Sequence, residues 1–497
     1  MVRLIYILIF LVGTISYAKG QAALDDTTFV NIYTGMDYDE AKDIVLTSTR
    51  EVLILANTSS YTAQHSQIAL IKADTLGNVK WVKTYGNVKS DQANTLIECS
   101  DGNYLISGIS DFNEFNDYGL ITFKTDTSGQ VLWTKNFGYE KWDIVSDVIE
   151  LEPGRFVYCG QSLTLGNSSG WLLAYNENTD SVEKNDLLGT NLNTTFTGLA
   201  LASNGDYIVC GSAENPDPTR KRDVFVQRLS TTHDTLWTSI GGREEDETIN
   251  AVTIRLDDTI VVVGKSVNPI DFEEDPAVFV LNPSTGEIKY NDFWSTNLIG
   301  EINDVIPGAD LNLTSNLGTV EYPVTREDAL FATANEKGEF LVGTARTSPE
   351  FEDETGEALV KVDNGYYLLG NTKGWNVNYS GFFLIKSDSL GDVDLGNISF
   401  VDLPSNEDFV VSNRISVNQD FLTLFPNPAR AGERLQISMG RNVTIETVNL
   451  YNTSGQLITT ASSNHLNLPW DLISGLYIIE IEVRNETTLR REKLIVR

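Results

Sequence analysis

Three histidines, His65, His233 and His465, are all that this 497-residue chain offers for imidazole chemistry, and they fall in different parts of it. No HExxH or His-rich metal pattern can be built from them. There is no G-x-S-x-G elbow, no Walker loop and no Cys–His pairing at a supporting spacing. His233 falls in a turn-like stretch and reads as a turn residue rather than a base. Cys99, Cys159 and Cys210 make an odd count, which argues against a disulfide framework. The last two sit in apolar runs and read as buried thiols acting as small hydrophobes. No catalytic residue and no cofactor is assigned. The runs Glu244–Glu245–Asp246 and Glu273–Glu274–Asp275 could hold Ca²⁺, an oxygen-loving ion. Without interleaved Gly or Asn ligands, solvated loops are the simpler reading. Trp142, Trp375 and Tyr379 stand in loop-like stretches, where aromatic faces could stack on a sugar or clamp a peptide. The competing reading makes them lids over apolar cores.

These residues must be positioned by something, and a repeat supplies it. TFKTDTSGQVLW (122–133) echoes LIKADTLGNVKW fifty-two residues earlier, and LIKSDSLGDVD returns at 384–394. Asp opens a hairpin turn by bonding its own backbone, and Gly supplies the positive φ that closes it. Gly77, Gly129, Gly286, Gly338 and Gly391 are separated by 52, 157, 52 and 53 residues, so two degenerate copies are expected between, near Asp180 and Asp234. These Asp-x-x-Gly turns resemble the Asp-boxes of sialidases. The glycine follows three residues after Asp rather than two and the Trp is displaced, so they are read as structural.

A second phrase keeps the same register. SDGNYLISGIS is matched downstream, with closing glycines Gly108, Gly160, Gly211, Gly264, Gly318 and Gly370, and Ala56 in the earliest copy. Two apolar phrases per period, each flanked by another strand-like run, make four strands per repeat. The expected fold class is all-β: a seven-bladed β-propeller of ~52-residue repeats at residues 25–400, then a small Ig-like β-sandwich. The last repeat lacks an aromatic-to-Gly final strand, whereas FVNIYTG (29–35) has that ending with no repeat before it. The N-terminal strand should therefore complete the last blade.

Residues 1–20 read as a signal peptide, with Arg3, an uncharged apolar run from Leu4 to Val12, and small residues at Ser16 and Ala18. No later segment reaches the roughly 18 apolar residues of a transmembrane helix. After a linker at 401–420, residues 421–497 break the register. They carry Phe-Pro-Asn-Pro (425–428), Leu-Tyr-Asn-Thr-Ser-Gly (450–455), Gly-Leu-Tyr (475–477) and Lys-Leu-Ile-Val (493–496). This order closely resembles the C-terminal sorting domain of type IX secretion cargo. The resemblance implies passage through the periplasm and the outer membrane of a Gram-negative cell, to release or surface attachment. The secretion machinery would be a partner through residues 421–497.

The formal charge is −33. Eight basic against seven acidic residues in 421–497, and two basic residues in 1–20, leave −36 on the residues between. So acidic a body excludes nucleic acid and anionic membrane as partners. At 41% hydrophobic and 10% aromatic the chain can bury real cores, which excludes global disorder. The loops after each closing glycine and between repeats vary, and variable loops on a rigid scaffold are where function usually resides. The expectation is an exported binding or interaction module, with a glycan or protein ligand on that loop face. A polysaccharide hydrolase or lyase using loop carboxylates is the alternative.

Overall fold

A computed structural model describes residues 28–496 apart from 36, 61–65, 87–89, 112–117, 139–141, 165–166, 190–191, 218, 295–298, 309–313, 322–326, 347–351, 376, 378, 394–397, 404–412, 415–421, 426–428, 440–444, 453–455, 463–464 and 484–489. The expected signal peptide, most of the expected linker and the loop at 112–117 lie outside the described residues. Among the described residues every regular element is a β-strand.

The body consists of four-stranded antiparallel sheets in a β-propeller-like fold. The first sheet runs Asp39–Leu46, Val52–Thr58, Gln67–Ala73 and Val79–Gly86, in sequence order outward from its inner strand, with the short Asn413–Arg414 added in parallel outside the last. Five more of the same plan follow, with inner strands Asp91–Glu98, Asp143–Glu152, Thr195–Leu201, Glu247–Ile254 and Ile299–Pro307. The seventh is assembled from both ends of the body. Glu354–Val362, Gly365–Thr372 and Gly381–Ser387 take Phe29–Thr34 as their fourth strand, with Phe29 opposite Lys386 and Tyr33 opposite Phe382. Outside it Ile398–Asp402 adds a parallel strand, crossing the boundary expected at 400.

Each sheet buries both faces, because apolar clusters lie between successive sheets. Leu53, Leu70, Ile106 and Phe123 join the first to the second, and Leu359, Leu368, Phe331 and Leu317 join the sixth to the seventh. Ile54, Ile71, Leu369 and Leu384 join the seventh back to the first. This sandwiching explains why the second and third strands of a sheet read as continuous apolar runs rather than alternating ones.

The repeat has a physical basis at two positions. In the turn between third and fourth strands, Gly77, Gly129, Gly286, Gly338 and Gly391 all have φ between 72° and 87°. The two degenerate copies put Asp180 (φ 50°) and His233 (φ 66°) there, so the turn conformation survives without glycine. Asp126 Oδ1 accepts the N–H groups of Ser128 and Gln130, both at 2.9 Å, in the role a structural Asp should have. The aromatic near the end of an outer strand binds the next sheet's turn. Tyr33 Oη donates to the Gly77 carbonyl (2.6 Å), Tyr85 Oη to that of Gly129 (2.8 Å) and Trp294 Nε1 to that of Gly338 (3.2 Å).

The closing glycine answers to a bulge. Every inner strand slips register at one equivalent position, at Ala41/Asp43, Ala93/Thr95, Val145/Asp147, Phe196/Gly198, Ile249/Ala251, Ile302/Asp304 and Gly356/Ala358. The slip swings a carbonyl toward the second strand, where a Cβ on Gly160 would lie 1.9 Å from the Ile144 oxygen.

Residues 422–496 form a separate pair of sheets. Leu422–Phe425, Arg434–Met439 and His465–Asn467 make one, and Leu457–Ala461, Ile445–Asn452, Gly475–Val483 and Arg490–Val496 the other. They share one core that includes Leu435, Ile437, Leu450, Ile479 and Leu494. Of the sorting-domain motifs, Leu450–Tyr451 and Gly475–Tyr477 lie on adjacent strands, and Lys493–Val496 pair with the latter.

Candidate functional site

Each bulge ejects one residue from the ladder, and strand alternation aims it away from the packed faces, toward the axis where the inner strands converge. These residues are Lys42, Asn94, Ser146, Thr197, Asn250, Asn303 and Glu357. All but Asn303 line a cavity of about 380 Å³, together with Glu40, Asn57 and Gln92. Asn303 turns aside, donating through Nδ2 to the Gly356 carbonyl at 2.6 Å. Residues at the start of inner strands, and Asn57 near the end of a second strand, place the cavity at the loop-bearing end of the axis, opposite the Asp-x-x-Gly hairpins. We call it the cup.

The cup wall is also a set of fastenings between sheets. Asn94 Nδ2 donates to the Val145 carbonyl, and Asn250 Nδ2 to that of Ile302 at 3.0 Å. Asn57 Oδ1 accepts from the Ala93 N–H and Asn371 Oδ1 from that of Ala41, both at 2.7 Å. One step after the ejected residue, Asp43, Asp147 and Asp304 reach to the next sheet. Their Oδ2 atoms accept the N–H of Leu96, Leu199 and Leu359 at 2.7–2.8 Å, and each Oδ1 accepts from its own following residue. Loss of water in the crowded wall raises these carboxyls to about 8, 7 and 6 respectively, against the two N–H bonds that favour ionisation.

The charged groups of the cup are engaged with one another. Lys42 Nζ pairs with Glu40 at 2.7 Å. Glu357 Oε1 accepts from Thr355 Oγ1 (2.8 Å) and Asn371 Nδ2 (2.9 Å). Burial raises its pKa, with Lys42 opposing. The neutral groups are less occupied. The side chains of Gln92 and Ser146 have no hydrogen-bond partner among the described residues, and the Thr197 hydroxyl has only Cys210 Sγ, at 3.8 Å.

Two aromatics named from the sequence reach the surface and one does not. Trp142 is 42% exposed and Tyr379 55%. Trp142 immediately precedes Asp143, four residues before Ser146 and on its loop side, which puts it at the cup rim. Tyr379 packs on Tyr38, itself 59% exposed, with ring centroids 5.3 Å apart. Tyr38 bridges to Ser380 and shares a strand face with Glu40 and Lys42. Trp375, expected on an exposed loop, is 5% exposed, because its ring stacks on Phe383 within the apolar cluster between the sixth and seventh sheets. Of the candidate Ca²⁺ runs, Glu245 pairs with Lys221, Glu274 with Lys265 (2.8 Å) and Asp275 with Arg243 (3.0 Å). Among the described residues no group of three or more His, Cys, Asp or Glu is arranged to hold a metal. His233 is a buried turn residue bonded through Nδ1 to Tyr207 Oη at 2.9 Å, and burial lowers its pKa. All three cysteines are free and buried, and burial pushes the Cys210 thiol up to about 12.

Residues 423–497 match the family described as a secretion system C-terminal sorting domain. The protein is type IX secretion cargo. The sorting domain directs this cargo to the cell surface or the extracellular space. No helix among the described residues is long and apolar enough to cross a membrane. No curated protein matches the sequence. Three solved structures are similar at low identity. The extracellular domain of a hybrid two-component system from B. thetaiotaomicron has 10% identity and TM-score 0.42, with 93% of this chain and 57% of that one covered. PorZ, a surface component of the type IX secretion system of Porphyromonas gingivalis, has 12% identity and TM-score 0.33, with 97% and 61% covered. The polysaccharide lyase Uly1 has 9% identity and TM-score 0.44, with 76% and 94% covered. The cargo spans less than two thirds of the length of the first two.

Proposed function

We propose that the cargo is a non-catalytic binding module: a seven-bladed β-propeller at 25–400, whose axial cup takes a ligand at the loop face, behind a signal peptide at 1–20. A linker at 401–420 then joins it to an Ig-like sorting sandwich at 421–497. The observation that carries the binding reading is the convergence of six ejected polar side chains, from six different inner strands, on one cavity. Two of the six, Ser146 and Thr197, and the neighbouring Gln92 have little use in the fold, and polar groups that converge in this way are the mark of a recognition site. The propeller reading is supported by the recurrent four-stranded plan and by the apolar clusters that link each sheet to the next and the last to the first.

The test is a binding screen of the secreted protein against glycan and peptide arrays, repeated with Ser146→Leu, which puts an apolar side chain into the cup and removes no hydrogen bond. Binding that disappears in the variant supports the reading; binding that persists places the site elsewhere.

The hydrolase or lyase reading keeps one observation in its favour. Glu357, which burial makes a better proton donor, lies in the same cup as Glu40. Turnover of any bound polysaccharide, abolished by Glu357→Gln, would favour that reading over simple binding.

A further inference from the structure

The chemistry of the cup narrows its ligand. Resting on the binding reading above, we propose that the cup receives the uncharged terminal sugars of a polysaccharide, with Trp142 and the Tyr38–Tyr379 pair as stacking stations at its mouth.

Charge complementarity disfavours the alternatives. An anionic glycan needs a cation to meet it, and Lys42, the one lining cation among the described residues, is engaged by Glu40 at 2.7 Å. The strongly acidic body repels such a chain before it arrives. A basic peptide needs unpaired negative charge. Glu40 is neutralised by Lys42, and Glu357, which accepts from Thr355 and Asn371, is pushed toward its uncharged form by burial. What remains is amide and hydroxyl: Gln92, Ser146 and Thr197, with the Oδ1 of Asn94 and Asn250. Such groups donate and accept alike, as do sugar hydroxyls.

The aromatic placement agrees. Trp142 immediately precedes the third inner strand, four residues before Ser146 and on its loop side. Tyr38 stands on the entry to the first, on the face of Glu40 and Lys42, and holds Tyr379 beside it. Both stations therefore sit above polar groups of their own strands. A pyranose offers an apolar C–H face beside equatorial hydroxyls, so one ring can lie on an aromatic while its hydroxyls reach the wall.

The experiment is calorimetric titration of the mature secreted protein with three probes: uncharged hexose and pentose oligosaccharides, uronate or sulfated oligosaccharides, and a Lys/Arg-rich peptide. It is repeated with Trp142→Ala and Ser146→Leu, whose folding is checked by thermal melting. We expect an uncharged oligosaccharide to bind, and each variant to weaken it at least tenfold with its melting temperature unchanged. Binding of only a charged probe, lost in Ser146→Leu, overturns the sugar assignment and leaves the cup as a binding site. No binding by any probe, or binding indifferent to Ser146→Leu, overturns the cup reading itself.

Discussion

The two ends of the same sheets both carry polar groups, yet they use them to different degrees. On the hairpin face the polar atoms are engaged. Asp74 Oδ1 accepts from its own turn, Lys72 pairs with Glu51, Lys124 with Glu177, and Arg228 with Asp206. Aromatic hydroxyls from the preceding sheet lock the turn carbonyls. At the loop face, the cup sets beside its fastening amides the side chains of Gln92, Ser146 and Thr197, of which the fold makes little use. Polarity by itself carries no functional message here; polarity without an internal partner does.

The contrast can be broken first at the bulge that aims the cup residues. Gly160→Val puts a side chain onto the Ile144 carbonyl and should cost roughly 3 kcal/mol or more. Loss of soluble protein, or a sharply lower melting temperature, is expected. A melt within a few degrees of the parent would refute the close-approach argument.

Next comes Asp147→Ala, which strips the N–H groups of Leu199 and Val148 of their acceptor. A loss of about 2 kcal/mol in urea unfolding is expected. An unchanged midpoint would mean that water in the channel replaces the carboxylate.

The same wall makes stability depend on pH. Asp43 and Asp147 have folded values near 8 and 7, above the ordinary 3.8. The folded state therefore holds protons that the unfolded chain releases. Their contribution is complete below about pH 4 and is lost as pH rises toward about 8. Glu51, held down to about 2 by Lys72 and Lys80 despite its partial burial, acts in the opposite sense, but only at lower pH. The urea midpoint should fall between pH 5 and pH 8.5, and Asp43→Asn with Asp147→Asn should flatten that slope. A midpoint that rises over this range counts against the assignment.

On the hairpin face, Tyr85→Phe removes the bond to the Gly129 carbonyl and should lower stability by about 1 kcal/mol, with ligand binding untouched. Gln92→Ala inverts this. Its side chain has no partner among the described residues, so stability should move by less than about 0.5 kcal/mol while ligand affinity drops. Melting and titration done together on both variants separate the faces; equal behaviour would erase the distinction.

Much of the architecture was legible because one backbone solution recurs. The turn glycines, the closing glycines and the aromatic-to-Gly ending each answer to a geometric need, so they survive as letters at a fixed interval. Even the degenerate copies kept the turn conformation, at Asp180 and His233. The sorting motifs were legible because their resemblance rests on residue types in a fixed order and not on periodicity alone. The cup was not, because its residues share a position and not a chemistry. Lys, Asn, Ser, Thr and Glu occupy equivalent bulges, and a bulge cannot be seen until two strands are paired. The available signal was a polar residue thirteen to fifteen positions before each closing glycine or its Ala56 equivalent, as Ser146 stands before Gly160. Trp375 misled for a related reason: loop composition reports that a chain turns, not which way a ring folds afterwards.

The strand Phe29–Thr34 sets the order of events in making the molecule. It is among the first parts of the body to be synthesised, and its partner Gly381–Ser387 is the last of the seventh sheet. Until Lys386 exists, Phe29 has nothing to pair with, so completion of that sheet cannot run alongside synthesis as the first sheet can. Pairings this distant in sequence are slow to form and leave incomplete edges open to aggregation meanwhile. The sorting domain follows within about forty residues of Lys386. A chain cut short before the seventh sheet can be finished therefore also lacks its export signal, and only chains able to complete their final pairing are addressed for export.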